Sequence, residues 1–136
     1  MLIRRADAKD RPAVSRLSES LKLDYPGMDE DPYWVAEVDG AIVAACGLKD
    51  HPDCRELCAV GVAEDFRGRG AAKALILRVA EDVAGDIHLT TIRPEVFASL
   101  GFVPASPVPA SIKARPPGWC DGCESFPCTV MVRRGR

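Results

Sequence analysis

The sequence predicts an α/β fold built on a mixed sheet, with elements in the order βαβββαβαββ. Two local signals anchor that order. Asp39-Gly40 joins two strand-like runs, and a glycine-rich turn at 67–70 joins a strand to a helix. A third signal is the return to strand-like residues at 128–134 after an irregular stretch rich in proline and cysteine.

The elements follow in order. LIRRA (2–6) reads as a first strand, and 7–21 has helical spacing through Val14, Leu17 and Leu21, with Pro12 tolerated in the first turn. The acidic, breaker-rich 24–32 reads as a loop. Residues 33–50 form two strands about Asp39-Gly40, the dipeptide that favours a type I′ hairpin. CRELCAVGV (54–62) continues the antiparallel meander. A helix over 69–84 puts Ala72, Ile76, Val79 and Val83 on one face. DIHLTTI (86–92) is a strand, Pro94 opens a short helix through Leu100, and GFVPA (101–105) is a strand. Segment 104–127 holds six prolines and reads as an irregular excursion, occupying 106–127 before the last strand.

Bulk composition excludes several function classes. A length of 136 residues fits one domain over 1–136, with 47% apolar and 28% charged residues. A net charge of -2 argues against a nucleic-acid binder. The first ten residues lack the apolar core of a signal peptide, and no apolar run approaches a membrane span. Six cysteines without a secretion signal read as thiols or ligands, and the expected compartment is the cytoplasm.

The turn FRGRG makes an anion site on physical grounds. Helix first-turn N–H groups point outward, the helix dipole adds positive charge, and glycines allow close approach. Arg67 and Arg69 can add charge-assisted contacts to phosphate oxygens. The spacing Arg67-Gly68-x-Gly70-x-Ala72 is neither a Walker loop nor a dinucleotide fingerprint.

With VGVAEDFRGRGAAKALI around it, that spacing resembles the acetyl-CoA-binding motif of the GNAT N-acetyltransferase superfamily. VFASLGF (96–102) resembles the same family's late Leu-Gly-Phe motif. The resemblance implies a GNAT fold with a mixed, mostly antiparallel sheet flanked by helices. It implies acetyl-CoA as co-substrate, its pyrophosphate on Arg67, Gly68, Arg69, Gly70, Ala71 and Ala72. Val60 and Val62 would pair with the pantetheine arm, and the Val60 N–H would polarise the thioester carbonyl. HLTTIRPEVFASLGFVPA narrows the resemblance to the acetyltransferase domain of N-acetylglutamate synthases and their stand-alone relatives. That group implies transfer to the primary amine of a small amino acid-like acceptor. A protein or peptide acceptor and a catalytically silent acyl-CoA-binding module stay open, as does a homodimer.

Candidate catalytic residues follow from the chemistry. Transfer from a thioester needs a free amine, a polarised carbonyl and a fate for the thiolate. Glu56 lies on the strand leading to Val60, and alternation puts 56, 58, 60 and 62 on one face unless a bulge intervenes. It reads either as the base or as a strand-end carboxylate in a salt bridge. Phe97 stands where many family members carry tyrosine, so the proton donor is open among Thr90, Thr91, Ser99 and water. Cys58 reads as a small buried side chain rather than a nucleophile. His51 reads as an exposed loop residue and His88 as a satisfied strand residue. Arg4 and Lys113 are candidates for a substrate carboxylate. Cys120, Cys123 and Cys128 could supply three zinc ligands, with Cys54, His51 or His88 as a fourth, but half of a dependable zinc signature is missing. Metal is not expected, and the cysteine-rich stretch is expected to shape the acceptor side of the cleft.

Overall fold

The computed structural model describes residues 1–114 and 128–135. The predicted order holds, with one further helical turn before the last strand. Strand β1 spans Leu2–Arg5 and helix α1 Arg11–Ser20, followed by β2 (Tyr33–Val38), β3 (Ala41–Asp50) and β4 (Arg55–Val62). Helix α2 (Ala71–Asp82), β5 (Ile87–Thr91), α3 (Pro94–Ala98), β6 (Val103–Pro104), α4 (Ala110–Lys113) and β7 (Thr129–Arg133) complete the chain. The α4 turn lies in the stretch read as irregular, and residues 115–127 lie outside the described residues.

The sheet runs β1-β2-β3-β4-β5-β7-β6. All pairs are antiparallel except β4 with β5. Asp39 and Gly40 both take positive φ, 50° and 80°, as a type I′ turn requires. Asp7 caps the first turn through a capping box with Asp10, which fixes where the chain leaves β1 for α1.

Two apolar layers sandwich the sheet. On one face Leu75, Ile76 and Val79 of α2 meet Leu57, Leu89, Phe102 and Met131. The α2 stripe is rotated from the predicted one. Ala71, Leu75, Ile76 and Val79 are buried, whereas Ala72 and Val83 are only half-buried, because the helix starts at Ala71 and meets the sheet off-centre. On the other face Val14 of α1 packs with Tyr25, Met28, Tyr33, Val35 and Ala45.

Arg4 locks the first strand to this second layer. Its guanidinium donates to both Asp10 oxygens at 2.7 and 2.9 Å and to Glu37 at 2.9 Å. That hydrogen-bonded ion pair holds the Asp10 carboxyl well below the usual carboxylate range.

Two stability predictions follow from this packing. A β-carbon on Gly47 would lie 2.7 Å from the ring of fully buried Tyr33, so Gly47→Ala should cost about 1–3 kcal/mol. Urea unfolding at unchanged slope measures this. Arg4→Ala should lower the thermal midpoint at neutral pH. Because the Asp10 pKa is depressed on folding, its contribution is full above its unfolded value of roughly 4 and fades as pH falls through the folded one. The gap between variant and parent should therefore narrow only below about pH 4 in a pH series of melts.

Candidate functional site

Ala59 is the centre of the candidate site. Gly47 pairs with Cys58 and Ala45 with Gly61, so β4 sets Ala59 and Val60 against the single residue Cys46. Ala59 carries the extra turn of backbone at φ 51°, a strained value for a residue with a β-carbon. This bulge overturns the expectation that residues 56, 58, 60 and 62 share one face. Glu56 and Cys58 face the α1 layer, while Val60 and Val62 pack into the α2 layer.

The same strand parts from its other neighbour. Residue pairing between β4 and β5 is confined to Glu56 opposite His88, and the two parallel strands run on from there without a ladder. A wedge therefore opens toward their C-terminal ends, beside the bulge. At that end β4 leads into the turn at 67–70.

The turn has the predicted form, with one correction. Gly68 and Gly70 both have φ 79°, and a β-carbon on either would meet nothing within 4 Å. The glycines serve conformation and leave open space above the backbone. Gly70 is the N-cap of α2 with no side-chain cap, so the first-turn N–H groups have no side-chain acceptor. The Arg67 N–H is already engaged, donating to the Glu64 carbonyl at 3.3 Å, so it drops from the expected donor set. The Arg67 side chain reaches back to the Val62 carbonyl at 3.4 Å, and the Arg69 guanidinium lies 4.9 Å above the Phe66 ring. Both arginines are exposed.

On the α1 face a row of ionisable groups crosses three strands. Lys49 of β3 pairs with Glu56, and Glu56 pairs with His88. Glu56 is 3% exposed, and its Oε1 lies 2.8 Å from His51 Nε2. His51 is thus no exposed loop residue, because its side chain is only 12% accessible and held by that carboxylate. His88 is not satisfied either. Among the described residues its buried Nδ1 has no partner, nor has Thr90 Oγ1 two residues on, and burial pushes the His88 pKa down. Beyond Lys49, Tyr25 donates to Asp31 at 2.6 Å, and Asp31 lies 3.8 Å from Lys49 Nζ.

The remaining candidates sort by position. Arg4 is bound by two carboxylates at the far edge of the sheet, three strands from β4, which commits it to the fold rather than to a substrate. Lys113 is exposed on α4, whose Ser111 N–H donates to Asp53 at 3.2 Å, so α4 sits against the loop holding His51. Phe97 packs edge-on against Phe102 at 6.0 Å and acts as core. Arg11, missed in the sequence, lies 5.7 Å over the Tyr33 ring on the α1 face, with no ion pair among the described residues.

Of the cysteine candidates, Cys120 and Cys123 lie outside the described residues. Cys54 and Cys128 stand at opposite ends of the strands. The Glu56–His88 register sets Cys54 level with Asp86, and the Thr91–Thr129 register sets Cys128 level with Ile92. Six strand positions are roughly 20 Å, too far for one metal ion to take both. Among the described residues no three His, Cys, Asp or Glu side chains converge as a ligand set. No helix among them is long and apolar enough to cross a membrane.

Comparison with known proteins supplies the family. N-acetylglutamate synthase from Neisseria gonorrhoeae, complexed with coenzyme A and N-acetyl-glutamate, matches at TM-score 0.77 and 20% identity, over 99% of this chain and 35% of that one. The chain thus spans about a third of the synthase's length. Rv2747 from Mycobacterium tuberculosis, in complex with CoA and NLQ, matches at TM-score 0.72 and 22% identity, over 98% of this chain and 99% of that one. An aminoglycoside 6'-N-acetyltransferase complexed with coenzyme A matches at TM-score 0.69 and 17% identity, over 98% and 97%. At these identities the likeness establishes the fold. No curated protein matches the sequence. A model of the acetyltransferase (GNAT) family matches residues 3–103, the strand-turn-helix and the wedge included, and the chain belongs to that family.

Proposed function

We propose that the chain, acting as one domain, moves acetyl from acetyl-CoA directly to a primary amine of a small amino acid-like acceptor. The observation that carries this reading is the wedge. β4 leaves its ladder with β5 after one residue pair, bulges at Ala59, and runs into a turn whose glycines leave their outer side open. The pantetheine arm fits as a replacement strand along Val60 and Val62 on the side where β4 has left β5, while Val62 stays paired with Ala44 of β3. The pyrophosphate then meets the N–H groups of Gly68, Arg69, Gly70, Ala71 and Ala72, with the Arg67 and Arg69 side chains beside them.

The Val60 N–H is the oxyanion donor in this reading, a role worth on the order of 3 kcal/mol. An α-amine with a pKa of roughly 8 needs only a modest base, supplied from the region of Glu56. Coenzyme A thiolate, with a thiol pKa of roughly 8.5, leaves without a tyrosine, consistent with Phe97. Glu56 and the donor belong to one strand, on opposite sides of the bulge.

The acceptor class rests on three supports. The sequence resembles the synthase group, a neighbour was solved with N-acetyl-glutamate, and Arg11 on the α1 face has no ion pair among the described residues. Arg11 replaces Arg4 as the group to meet an acceptor carboxylate. The acidic loop at 24–32 could attract a basic peptide, but its buried Asp31 is already bonded to Tyr25 and close to Lys49.

Free coenzyme A release with a panel of amino acids, polyamines and basic peptides tests the function. Turnover with amino acids above the others is expected, and failure of every amine to release coenzyme A would leave only the silent binding module. Calorimetry should show micromolar-range acetyl-CoA binding that is lost in Gly70→Asp, where a carboxylate would face the pyrophosphate. Unchanged affinity there would remove the turn from the site. Arg11→Ala should raise KM for carboxylate-bearing amines by roughly tenfold or more, the worth of a charged hydrogen bond, and leave polyamines unaffected. An equal change for both classes would place the carboxylate elsewhere.

A further inference from the structure

Glu56 is too deeply placed to meet an acceptor amine freely. It is 3% exposed, and one of its oxygens is held 2.8 Å from His51 Nε2. A carboxylate oxygen only accepts, so when Glu56 is a carboxylate this contact is donated by the His51 Nε2–H and the Nδ1 lone pair is the basic atom. The loop that carries His51 is pinned at both ends. The His51 N–H donates to the Cys54 carbonyl at 2.8 Å, and Asp53 accepts the Ser111 N–H of α4. His88, the other imidazole of the row, has its Nδ1 buried with no partner among the described residues.

We propose that His51 is the catalytic base of the transfer and that Glu56 is its positioning residue, a refinement that rests on the acetyltransferase reading above. The geometry is that of an imidazole oriented by a buried carboxylate, which stabilises the imidazolium when it forms. His51 Nδ1 takes a proton from the acceptor ammonium. The freed lone pair forms the C–N bond to the thioester carbonyl carbon, whose π electrons move to oxygen. Collapse breaks the C–S bond, and the thiolate carries away that electron pair and takes the second amine proton. His51 returns its proton to solvent, so the products are the amide, coenzyme A thiol and one proton. The charged and titratable groups around the pair are Lys49 from β3, His88 and Asp86 at β5, Asp53 and Cys54 from the loop, and Arg134 beyond β7, which bonds Asp86 at 2.7 Å.

Two measurements test the assignment. Long-range proton–nitrogen spectra of the intact chain should show His51 as the Nε2–H tautomer, and Glu56→Gln should abolish that preference. An Nδ1–H tautomer in the parent would overturn the proposal. In the second, kcat and KM are followed against pH with the panel amine of highest kcat/KM. His51→Ala should lower kcat roughly 100-fold, with KM for acetyl-CoA within about twofold, and added imidazole should restore part of the rate. His51→Gln, which keeps the contact to Glu56, should fold like the parent and show the same loss without rescue. Full activity in His51→Gln, with the parent active, would sink this assignment alone. An inactive parent would sink the acetyltransferase reading and this assignment together.

Discussion

The bulge at Ala59 is the constraint on which the rest of the site depends. One residue with a β-carbon sits at positive φ, and the glycines on either side of it have no room for one. Tyr33 covers Gly47, and the ends of Leu21 and Leu23 close over Gly61 at 2.8 Å from where a β-carbon would sit. Tight packing on the α1 face therefore over-determines a backbone that would relax if it were free, which is the condition under which strain persists. Its consequence is a change of face within one strand. Before the bulge β4 presents Glu56 and Cys58 to the α1 layer, and after it Val60 and Val62 enter the α2 layer. A regular strand could not separate proton-handling side chains from a cofactor-facing backbone within four residues, because strict alternation keeps 56 and 60 together.

Local chemistry made much of the fold legible in the sequence. The hairpin was readable because Asp39-Gly40 needs only its own backbone to turn, and the 67–70 turn because Gly68 and Gly70 are required at positive φ whatever surrounds them. The bulge was not readable, since LCAVGV is a continuous apolar run that reads like any unbroken strand. Its cause lies in Tyr33 and the α1 layer, distant in sequence. His51 was misread for a similar reason. Its partner Glu56 is five residues on, beyond Pro52 and Asp53, and the two meet only because the loop between β3 and β4 folds back. Arg4 was misplaced although a local signal existed. Asp7 and Asp10 have the spacing of a capping box, which predicts a carboxylate held close to the end of β1.

Burial decides which groups of the polar row can do chemistry. A carboxyl group at 3% exposure needs partners to replace its water, so Glu56 and His51 stabilise one another as a unit. Truncating either leaves the other buried and under-bonded, which is why an imidazole-shaped replacement informs more than a small one. The thiols are poorer candidates. Burial pushes Cys46 up to about 12, far from any nucleophilic thiolate at neutral pH. Cys58 donates its S–H to the Glu56 carbonyl at 3.3 Å, so its proton is held rather than drawn off by a base. Tyr25, its pKa raised by burial, remains a phenol that donates to Asp31. An acyl-enzyme route would need one of these groups to ionise against that burial. Direct attack by the acceptor amine needs none of them to do so, only a base, and His51, held by Glu56 through Nε2, is the group of the row proposed for that task.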